Sequence, residues 1–287
     1  MTNDSIVALR GFIERHPRLF VLTGAGCSTG SGIPDYRDAD GSWKRAARPV
    51  TYQDFMGLTS TRQRYWARSL VGWPRFRCAA PNAAHQALAR LEAGGRVELL
   101  VTQNVDRLHR AGGSRRTLDL HGRLDRVRCM GCEERLPRDA MQDELLRANP
   151  EWSIAAAPDA PDGDADLDGC DFSDFRVPPC PACGGVLKPD VVLFGENVPR
   201  DRVAFAMAAL ARADALLIVG SSLMVYSGFR FARAAAAAGK PIAAVNLGRT
   251  RADDLLFLKV PAPCSAALAF LLDPVESPSH AAARVSA

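Results

Sequence analysis

Phe20-Val21-Leu22-Thr23-Gly24-Ala25-Gly26-Cys27-Ser28-Thr29-Gly30-Ser31-Gly32-Ile33-Pro34-Asp35-Tyr36-Arg37 is the stretch from which the fold can be read. Phe20, Val21 and Leu22 form a short apolar run of the kind found in buried strands, and four glycines follow within nine positions. Backbone without Cβ atoms can take positive φ and approach a pyrophosphate closely, and the amides of a following helical turn would present donors to it. The dinucleotide fingerprint G-x-G-x-x-G would need glycine at position 29, where this chain has Thr29. The loop is therefore Rossmann-like but of a different make.

The residues after the glycines are denser in chemistry than a phosphate cradle needs. Ile33-Pro34-Asp35-Tyr36-Arg37 sets an apolar clamp, a carboxylate, an aromatic ring and a cation in consecutive positions. That density predicts a loop closing over a reactive bond; a surface Pro-Asp turn is the plainer alternative.

Outward from this stretch, apolar runs alternate with helical patterns. Ser5 to Glu14 has Ile6, Leu9 and Ile13 at helical spacing, and Pro81-Asn82 leads a helix through His85, Leu88 and Leu91 to Gly94-Gly95. Val97 to Val101 reads as a second buried strand and ends in Thr102-Gln103-Asn104-Val105-Asp106. Leu118 to Leu120 repeats the pattern and ends in His121-Gly122. Ligands of open α/β sheets bind beyond the carboxyl ends of strands, so Gln103, Asn104, Asp106 and His121 stand where a ligand would be met. His121 is the histidine expected to act as a base. His16 and His280 lie near the termini, and His85 and His109 read as satisfied surface residues.

The rest of the chain continues the alternation. Leu187 to Phe194 holds a strand exiting into Gly195-Glu196, followed by an amphipathic helix from Arg200 to Arg212. Ala215 to Val219 is a buried strand ending at Gly220-Ser221-Ser222; a helix through Phe229 and Phe231 and a strand from Ile242 to Val245 follow. The fold class is therefore α/β, a doubly wound parallel sheet. Between the first glycine loop and Pro81, Thr61 to Trp73 reads as an arginine-rich helix with Tyr65, Trp66 and Leu70 near one face, a candidate wall or lid. The tail after Pro274 is small and polar and expected to be disordered.

At 287 residues, 47% hydrophobic and 24% charged, the chain can bury one large core plus a smaller module. Its net charge of +4 comes from scattered arginines, with lysine only at Lys44, Lys188, Lys240 and Lys259. Without a basic run interleaved with aromatics, no nucleic-acid partner is expected. No apolar run reaches spanning length and no leader pattern opens the chain, so no membrane association and a cytoplasmic location are expected.

Four of the eight cysteines form two C-x-x-C knuckles, Cys129-Met130-Gly131-Cys132 and Cys180-Pro181-Ala182-Cys183. Either pair alone could be a redox motif; together they supply the four thiolates of a closed tetrahedral site, the structural form of zinc binding. Between them, Ala155 to Asp171 has the proline, glycine and aspartate content of a solvated or lid-forming loop. It lacks the register of a calcium loop. Cys27, Cys78, Cys170 and Cys264 read as small buried or loop residues.

Taken in order, G-A-G-C-S-T-G-S-G-I-P-D-Y-R, T-Q-N-V-D, L-H-G, the paired knuckles, K-P-D-V-V-L-F-G-E, G-S-S-L and V-N-L-G resemble the sirtuins, the NAD-dependent protein deacylases, from about Ser5 to Asp273. P-D-Y-R, R-Q-R-Y-W-A-R, V-G-W-P and the long inter-knuckle loop are most similar to the class II, sirtuin-four-like branch. The resemblance implies a discontinuous Rossmann-like NAD-binding domain (residues 1–45, 78–125 and 186–273), a helical module (46–77) and a smaller zinc-binding domain (126–185). It implies transfer of an acyl group from lysine to ADP-ribose with release of nicotinamide, with NAD and one structural zinc as cofactors, acylated-lysine proteins as partners and a monomeric state.

It also implies site residues. Gly24, Ala25, Gly26 and Ser28 would cradle the pyrophosphate, and Ile33, Pro34, Asp35, Tyr36 and Arg37 would form the loop over the nicotinamide ribose. Gln103, Asn104, Val105 and Asp106 would line that ribose and the carboxamide. Gly220, Ser221, Ser222, Asn246, Leu247, Gly248 and Cys264 would take the adenosine side. His121, with Asn104, would be catalytic, the histidine as a base near neutral pKa. Leu193, Phe194, Gly195 and Glu196 would offer an edge to the acyl-lysine peptide. Position 27 is cysteine and position 30 glycine where many relatives carry an aliphatic and a larger polar residue, so a looser loop is expected. Tyr65-x-x-Arg68 is similar to the pair that grips the carboxylate in acid-selective sirtuins, implying faster cleavage of acidic acyl-lysines than of acetyl-lysine; simple aromatic packing on an arginine-rich helix is the alternative. An ADP-ribosyltransferase, a hydride-transfer enzyme and a non-catalytic NAD or ADP-ribose binding module are the competing classes.

Overall fold

The computed structural model describes residues 3–42, 49–154, 157–158, 160, 163–167 and 169–273. The tail from Pro274 and the start of the expected helical module at residues 46–48 lie outside them.

Helices are α1 (Asn3–Arg15), α2 (Tyr52–Gly57), α3 (Thr59–Phe76), α4 (Ala83–Ala93), α5 (Leu108–Ala111), α6 (Arg138–Ala148), α7 (Arg200–Arg212), α8 (Tyr226–Ala237) and α9 (Cys264–Leu268). Strands are β1 (Leu19–Thr23), β2 (Val97–Thr102), β3 (Thr117–Asp119), β4 (Gly122–Cys129), β5 (Arg135–Pro137), β6 (Leu187–Val191), β7 (Ala215–Val219), β8 (Ile242–Val245) and β9 (Leu258–Val260). Six strands form one parallel sheet in the order β3-β2-β1-β7-β8-β9, the doubly wound arrangement expected from the alternation.

The alternation of side chains along β1 explains its near-continuous apolar sequence. Leu19 and Val21 join α1, α4 and α9 in one core, and Phe20 and Leu22 join α7 and α8 in another. Each fully buried side chain of this size contributes about 1.5–3 kcal/mol, so both faces of the strand are committed. Asn82 caps α4, accepting the Ala84 amide at 2.9 Å, while the His85 ring accepts the Asn82 amide at 3.2 Å in a capping box.

A three-stranded antiparallel sheet, β5-β4-β6, forms the second body. β6 belongs here, antiparallel to β4, and stops at Val191 instead of running into Gly195. Its core is shared with α2, α3 and α6 through Phe55, Trp66, Leu70, Val127, Met141 and Leu187.

Two expectations about this region are corrected. α3 is not a wall with one apolar face: Tyr65, Trp66, Ala67, Ser69, Leu70, Val71, Gly72 and Trp73 are all buried. Of the solvated or lid-forming loop expected between the knuckles, the solvated reading fails for Ala160, Gly163, Ala165 and Leu167, which are buried. α3 is covered on one side by α2, α6 and the small sheet and on another by the loop, which reaches it at Gly72. Gly72 has no side chain, and a Cβ there would lie 2.3 Å from the Gly163 carbonyl oxygen, so the loop backbone closes onto the helix. Arg138, 1% exposed, sits between the Trp66 and Trp73 rings and donates to the Ser69 carbonyl and hydroxyl; burial lowers its pKa to about 10.

Candidate active site

The strand order places β1 beside β7, where the sheet reverses its winding, the position beyond whose carboxyl ends open α/β sheets bind their ligands. The glycine loop leaves β1 as two short 3-10 turns, Ala25–Cys27 and Thr29–Ser31, and not as the start of an α-helix. It packs backbone to backbone on the loop after β7: the Gly24 amide donates to the Val219 carbonyl at 3.1 Å and the Gly26 amide to the Gly220 carbonyl at 2.9 Å. Gly220 has φ +63°, and a Cβ there would stand 2.2 Å from the Cys27 nitrogen. A Cβ on Gly24 would stand 2.8 Å from Ser221 Cβ. The two loops therefore meet backbone to backbone with no side chain between them, a close approach that only glycine allows.

Beside it lies a closed polar network. The Ser28 hydroxyl, 1% exposed, donates to Asp106 Oδ2 at 2.6 Å and accepts from Asn104 Nδ2 at 3.0 Å; that amide also donates to the Gly24 carbonyl at 3.1 Å. Burial raises the Asp106 carboxyl above the usual carboxylate range, against the opposing pull of the Ser28 hydroxyl and the Leu108 amide. Gln103 Nε2 donates to Ser221 Oγ at 2.7 Å and to the Thr23 carbonyl at 3.2 Å, tying β1, β2 and β7 together at their ends. Val105, by contrast, is a packing residue against Trp73 and Leu124.

His121 lies in the turn between β3 and β4, where Gly122 takes φ +85°. Its Nδ1 is 3.0 Å from the Gln103 carbonyl oxygen, which can only accept, so Nδ1 carries the proton. Nε2 is then the lone-pair nitrogen, and the Ser227 hydroxyl donates to it at 2.8 Å. Burial, helped by Arg202 and Arg230, lowers the ring pKa to about 4, against the raising effect of the Gln103 hydrogen bond. The expected base near neutral pKa is thus a neutral imidazole well below that range. Sequence reasoning missed Ser227; its only local signal is the small pair Ser227-Gly228 in the first turn after the Gly-Ser-Ser loop.

On the far side of the cradle, Asn246 Nδ2 donates to the Gly248 carbonyl at 3.0 Å, and Cys264 Sγ would lie 3.0 Å from a Cβ at Gly220. Gly248 packs on Ala39, and Leu247 is exposed, as the tip of this loop. Ser222 accepts the Arg251 amide on its carbonyl. The loop after the glycines curls back on itself, Arg37 donating to the Gly41 carbonyl at 2.8 Å, while Ile33 is buried and Pro34 and Asp35 are half-buried. Tyr36 meets Phe194 edge to face at 6.5 Å, joining this loop to the 193–196 segment.

That segment is held from both sides. The Tyr52 amide donates to the Phe194 carbonyl at 2.8 Å, and Gly195 takes φ +78°. Glu196 Oε2 accepts from the Leu193 amide and from Lys188 Nζ, each at 3.0 Å, so this carboxylate fastens the turn to a buried lysine. Contacts run on from Tyr52 along α2 to Phe55, which packs edge to face on Tyr65. Burial raises the Tyr65 phenol pKa. Arg68 donates to the Ala165 carbonyl at 3.1 Å and pairs with Asp164 at 3.6 Å, both on the inter-knuckle loop.

The knuckle cysteines come together at the end of β4 and before β6. Their sulfurs all lie within 4.8 Å of one another, with Cys129 to Cys183 at 3.5 Å and Cys132 to Cys180 at 3.8 Å. Tetrahedral zinc with Zn–S bonds of about 2.3 Å spaces its sulfurs about 3.8 Å apart, so the set fits one closed, structural zinc site. The Gly131 amide donates to Cys129 Sγ at 3.3 Å, a contact that stabilises a thiolate there.

His85 and His109 are not the surface residues that the sequence pattern suggests but are 0% and 1% exposed, their rings 4.7 Å apart and tilted by 60° beneath the glycine loop and close to Cys27. Helix α4 and the turn of α5 both face the core there. His85 accepts the Asn82 amide on Nδ1, so its proton is on Nε2, the nitrogen facing Ser28 Oγ at 3.4 Å. Such a ring offers no lone pair to a metal, and burial lowers the pKa of both rings, that of His85 to about 4.

With this geometry in place, comparison with known proteins is direct. Residues 24–227 match the Sir2 family. An NAD-dependent protein deacetylase of Xanthomonas campestris pv. campestris (strain 8004) is 69% identical over 275 residues, 96% of this chain and 93% of that protein. NAD-dependent protein deacetylase 2 of Bradyrhizobium diazoefficiens is 68% identical over 265 residues, 92% of this chain and 97% of the relative. Among solved structures, Sir2 bound to an acetylated peptide aligns with a TM-score of 0.75 at 28% identity, covering 93% of this chain and 97% of the other. A Sir2 complex with a p53 peptide and NAD+ aligns with a TM-score of 0.74 at 29% identity, covering 92% and 96%.

Proposed function

Since this chain belongs to the Sir2 family and is an NAD-dependent protein deacylase, we propose that deacylation takes place at the carboxyl ends of β1 and β7 with His121 as general base. The observation that carries this reading is the convergence of the glycine cradle, the Ser28–Asn104–Asp106 network and His121 Nε2 on one end of the sheet. NAD, when bound, supplies the ribose carbon that gives up nicotinamide and takes the acyl oxygen.

The roles of the chain's own groups follow from their positions. Backbone at Gly24, Ala25, Gly26 and Gly220 would seat the pyrophosphate, and Ser221, Ser222, Asn246, Leu247, Gly248 and Cys264 the adenosine side. Asp106 would hold the carboxamide, its oxygens fixed by Ser28 and the Leu108 amide. Asn104, pinned through Nδ2, keeps Ser28 and the cradle in register. Ile33, Pro34, Asp35, Tyr36 and Arg37 would cover the reacting centre and exclude water. His121 presents an unprotonated Nε2 to a ribose hydroxyl; burial weakens it as a base, and release of the Ser227 donor on turnover strengthens it again. Acylated-lysine proteins are the substrates, entering along Leu193–Glu196. The zinc site would act at a distance, by fixing β4 and β6. We assign the chain to the class II branch on P-D-Y-R, R-Q-R-Y-W-A-R and V-G-W-P, and to the cytoplasm, whose reducing conditions suit free thiolates.

Incubation with NAD and a panel of acyl-lysine peptides, with mass detection of peptide and acyl-ADP-ribose, tests the function. ADP-ribose left on protein, or NADH, would reject it.

Acyl preference turns on one contact. Because Arg68 already carries Asp164 as counter-ion, an acidic acyl group must compete with that carboxylate, which reverses the preference that Tyr65-x-x-Arg68 alone suggests. We therefore expect acetyl-lysine to be cleaved faster than glutaryl-lysine. Asp164→Asn should raise the glutaryl-to-acetyl rate ratio roughly threefold to tenfold, as removal of a competitor worth ~1 kcal/mol would. Arg68→Met in the same background should erase the gain, and a ratio indifferent to Asp164→Asn would reject the competition.

A further inference from the structure

The first turn of α8 is built against the catalytic histidine. Ser227 is its second residue, and its hydroxyl is 2.8 Å from His121 Nε2. Gly228 follows, buried, and a Cβ there would lie 2.4 Å from Gln103 Oε1 and 2.8 Å from Gln103 Cδ. Only glycine lets the helix come this close to Gln103, the residue whose carbonyl holds the opposite side of the imidazole. The turn itself is fixed, since the Gly228 and Phe229 amides both donate to the Val225 carbonyl at 3.2 Å. The ring is thus held at both nitrogens, by a main-chain carbonyl that can only accept and by a hydroxyl that must then donate.

We propose that Ser227 is the positioning residue of the catalytic base: its hydroxyl fixes the place and direction of the His121 Nε2 lone pair and yields it to a substrate hydroxyl during turnover. This rests on the reading of His121 as the base. A proton can reach Nε2 only after the Ser227 hydroxyl has turned away, so the serine keeps the ring neutral and oriented until a competing hydroxyl occupies the same direction. No bond to Ser227 forms or breaks beyond this hydrogen bond. The charged groups acting on His121 are Arg202 on α7 and Arg230 on α8, and neither is altered by a change at position 227.

The sign of the pH effect follows. A donor to the lone pair stabilises the neutral ring, so removing it makes the ring easier to protonate and moves the acid limb of kcat/KM to higher pH. Ser227→Ala should lower kcat about tenfold through lost orientation, with KM for NAD within about twofold of wild type. Ser227→Thr, which restores the hydroxyl, should return both kcat and the acid limb. A purely structural role would instead lower the melting temperature and scale activity equally at every pH. Wild-type kcat and an unmoved limb in Ser227→Ala, alongside an inactive His121→Ala, would overturn the positioning role and leave the base assignment standing. An active His121→Ala would overturn the base assignment itself. Ring-nitrogen NMR of the wild type gives a test without substitution: Nδ1 should carry the proton and Nε2 should be a hydrogen-bond acceptor, and the reverse tautomer would overturn the proposal.

Discussion

His121→Ala is expected to lose roughly two to four orders of magnitude in turnover, the usual contribution of a positioned general base. NAD binding should persist, because the backbone proposed to seat it, at Gly24, Gly26 and Gly220, makes no hydrogen bond to the imidazole, whose partners are the Gln103 carbonyl and Ser227. The fold should persist as well, since the side chain bridges only the Gln103 carbonyl and the Ser227 hydroxyl. With the base already neutral, its pKa lowered to about 4, wild-type activity should stay level from neutral pH down to mildly acidic pH. Turnover of the variant measured under saturating NAD and peptide decides the matter. A value near wild type would sink the assignment.

Cys129→Ala and Cys180→Ala should each abolish stoichiometric zinc and destabilise the protein before altering any chemical step. Three sulfurs cannot close the tetrahedron, and the buried ends of β4 and β6 are joined there. A fall in Tm of roughly 10 °C is expected, from a loss of ~3–4 kcal/mol at about 2–4 °C per kcal/mol in a chain of this size. The core that β4 and β6 share with α2 and α3 carries the disturbance toward Phe55 and Tyr65, so substrate KM should rise where residual fold remains. Metal analysis and calorimetry on the same preparations test this. A metal-free variant with wild-type Tm and activity would refute the structural role.

The identity of the parallel sheet is legible in short-range pattern. β1, β7 and β8 are buried along their whole length and β2 everywhere but Glu98, which writes itself as apolar runs, and β1 and β7 each give way to a glycine, Gly24 and Gly220. The zinc set is legible for a similar reason, because a two-residue spacer places both thiols of a knuckle on one ion whatever lies between the pairs. His121 could be singled out as a strand-exit residue. Its chemistry could not, since the partners that fix its tautomer are separated from it by 18 and 106 residues.

What the sequence determined by itself is the doubly wound sheet, the glycine loop at the end of β1 and the pairing of the knuckles, all consequences of periodicity, backbone freedom and ligand spacing within a few residues. Tertiary structure alone decided that His85 and His109 are buried, that the His121 imidazole is held between the Gln103 carbonyl and Ser227, that Glu196 fastens Lys188, and that Arg68 is met by Asp164. The physical reason is that desolvation and hydrogen-bond partnership are properties of the surroundings. A residue's neighbours along the chain fix its local geometry, but its charge state and its partner are set by whatever the fold brings against it.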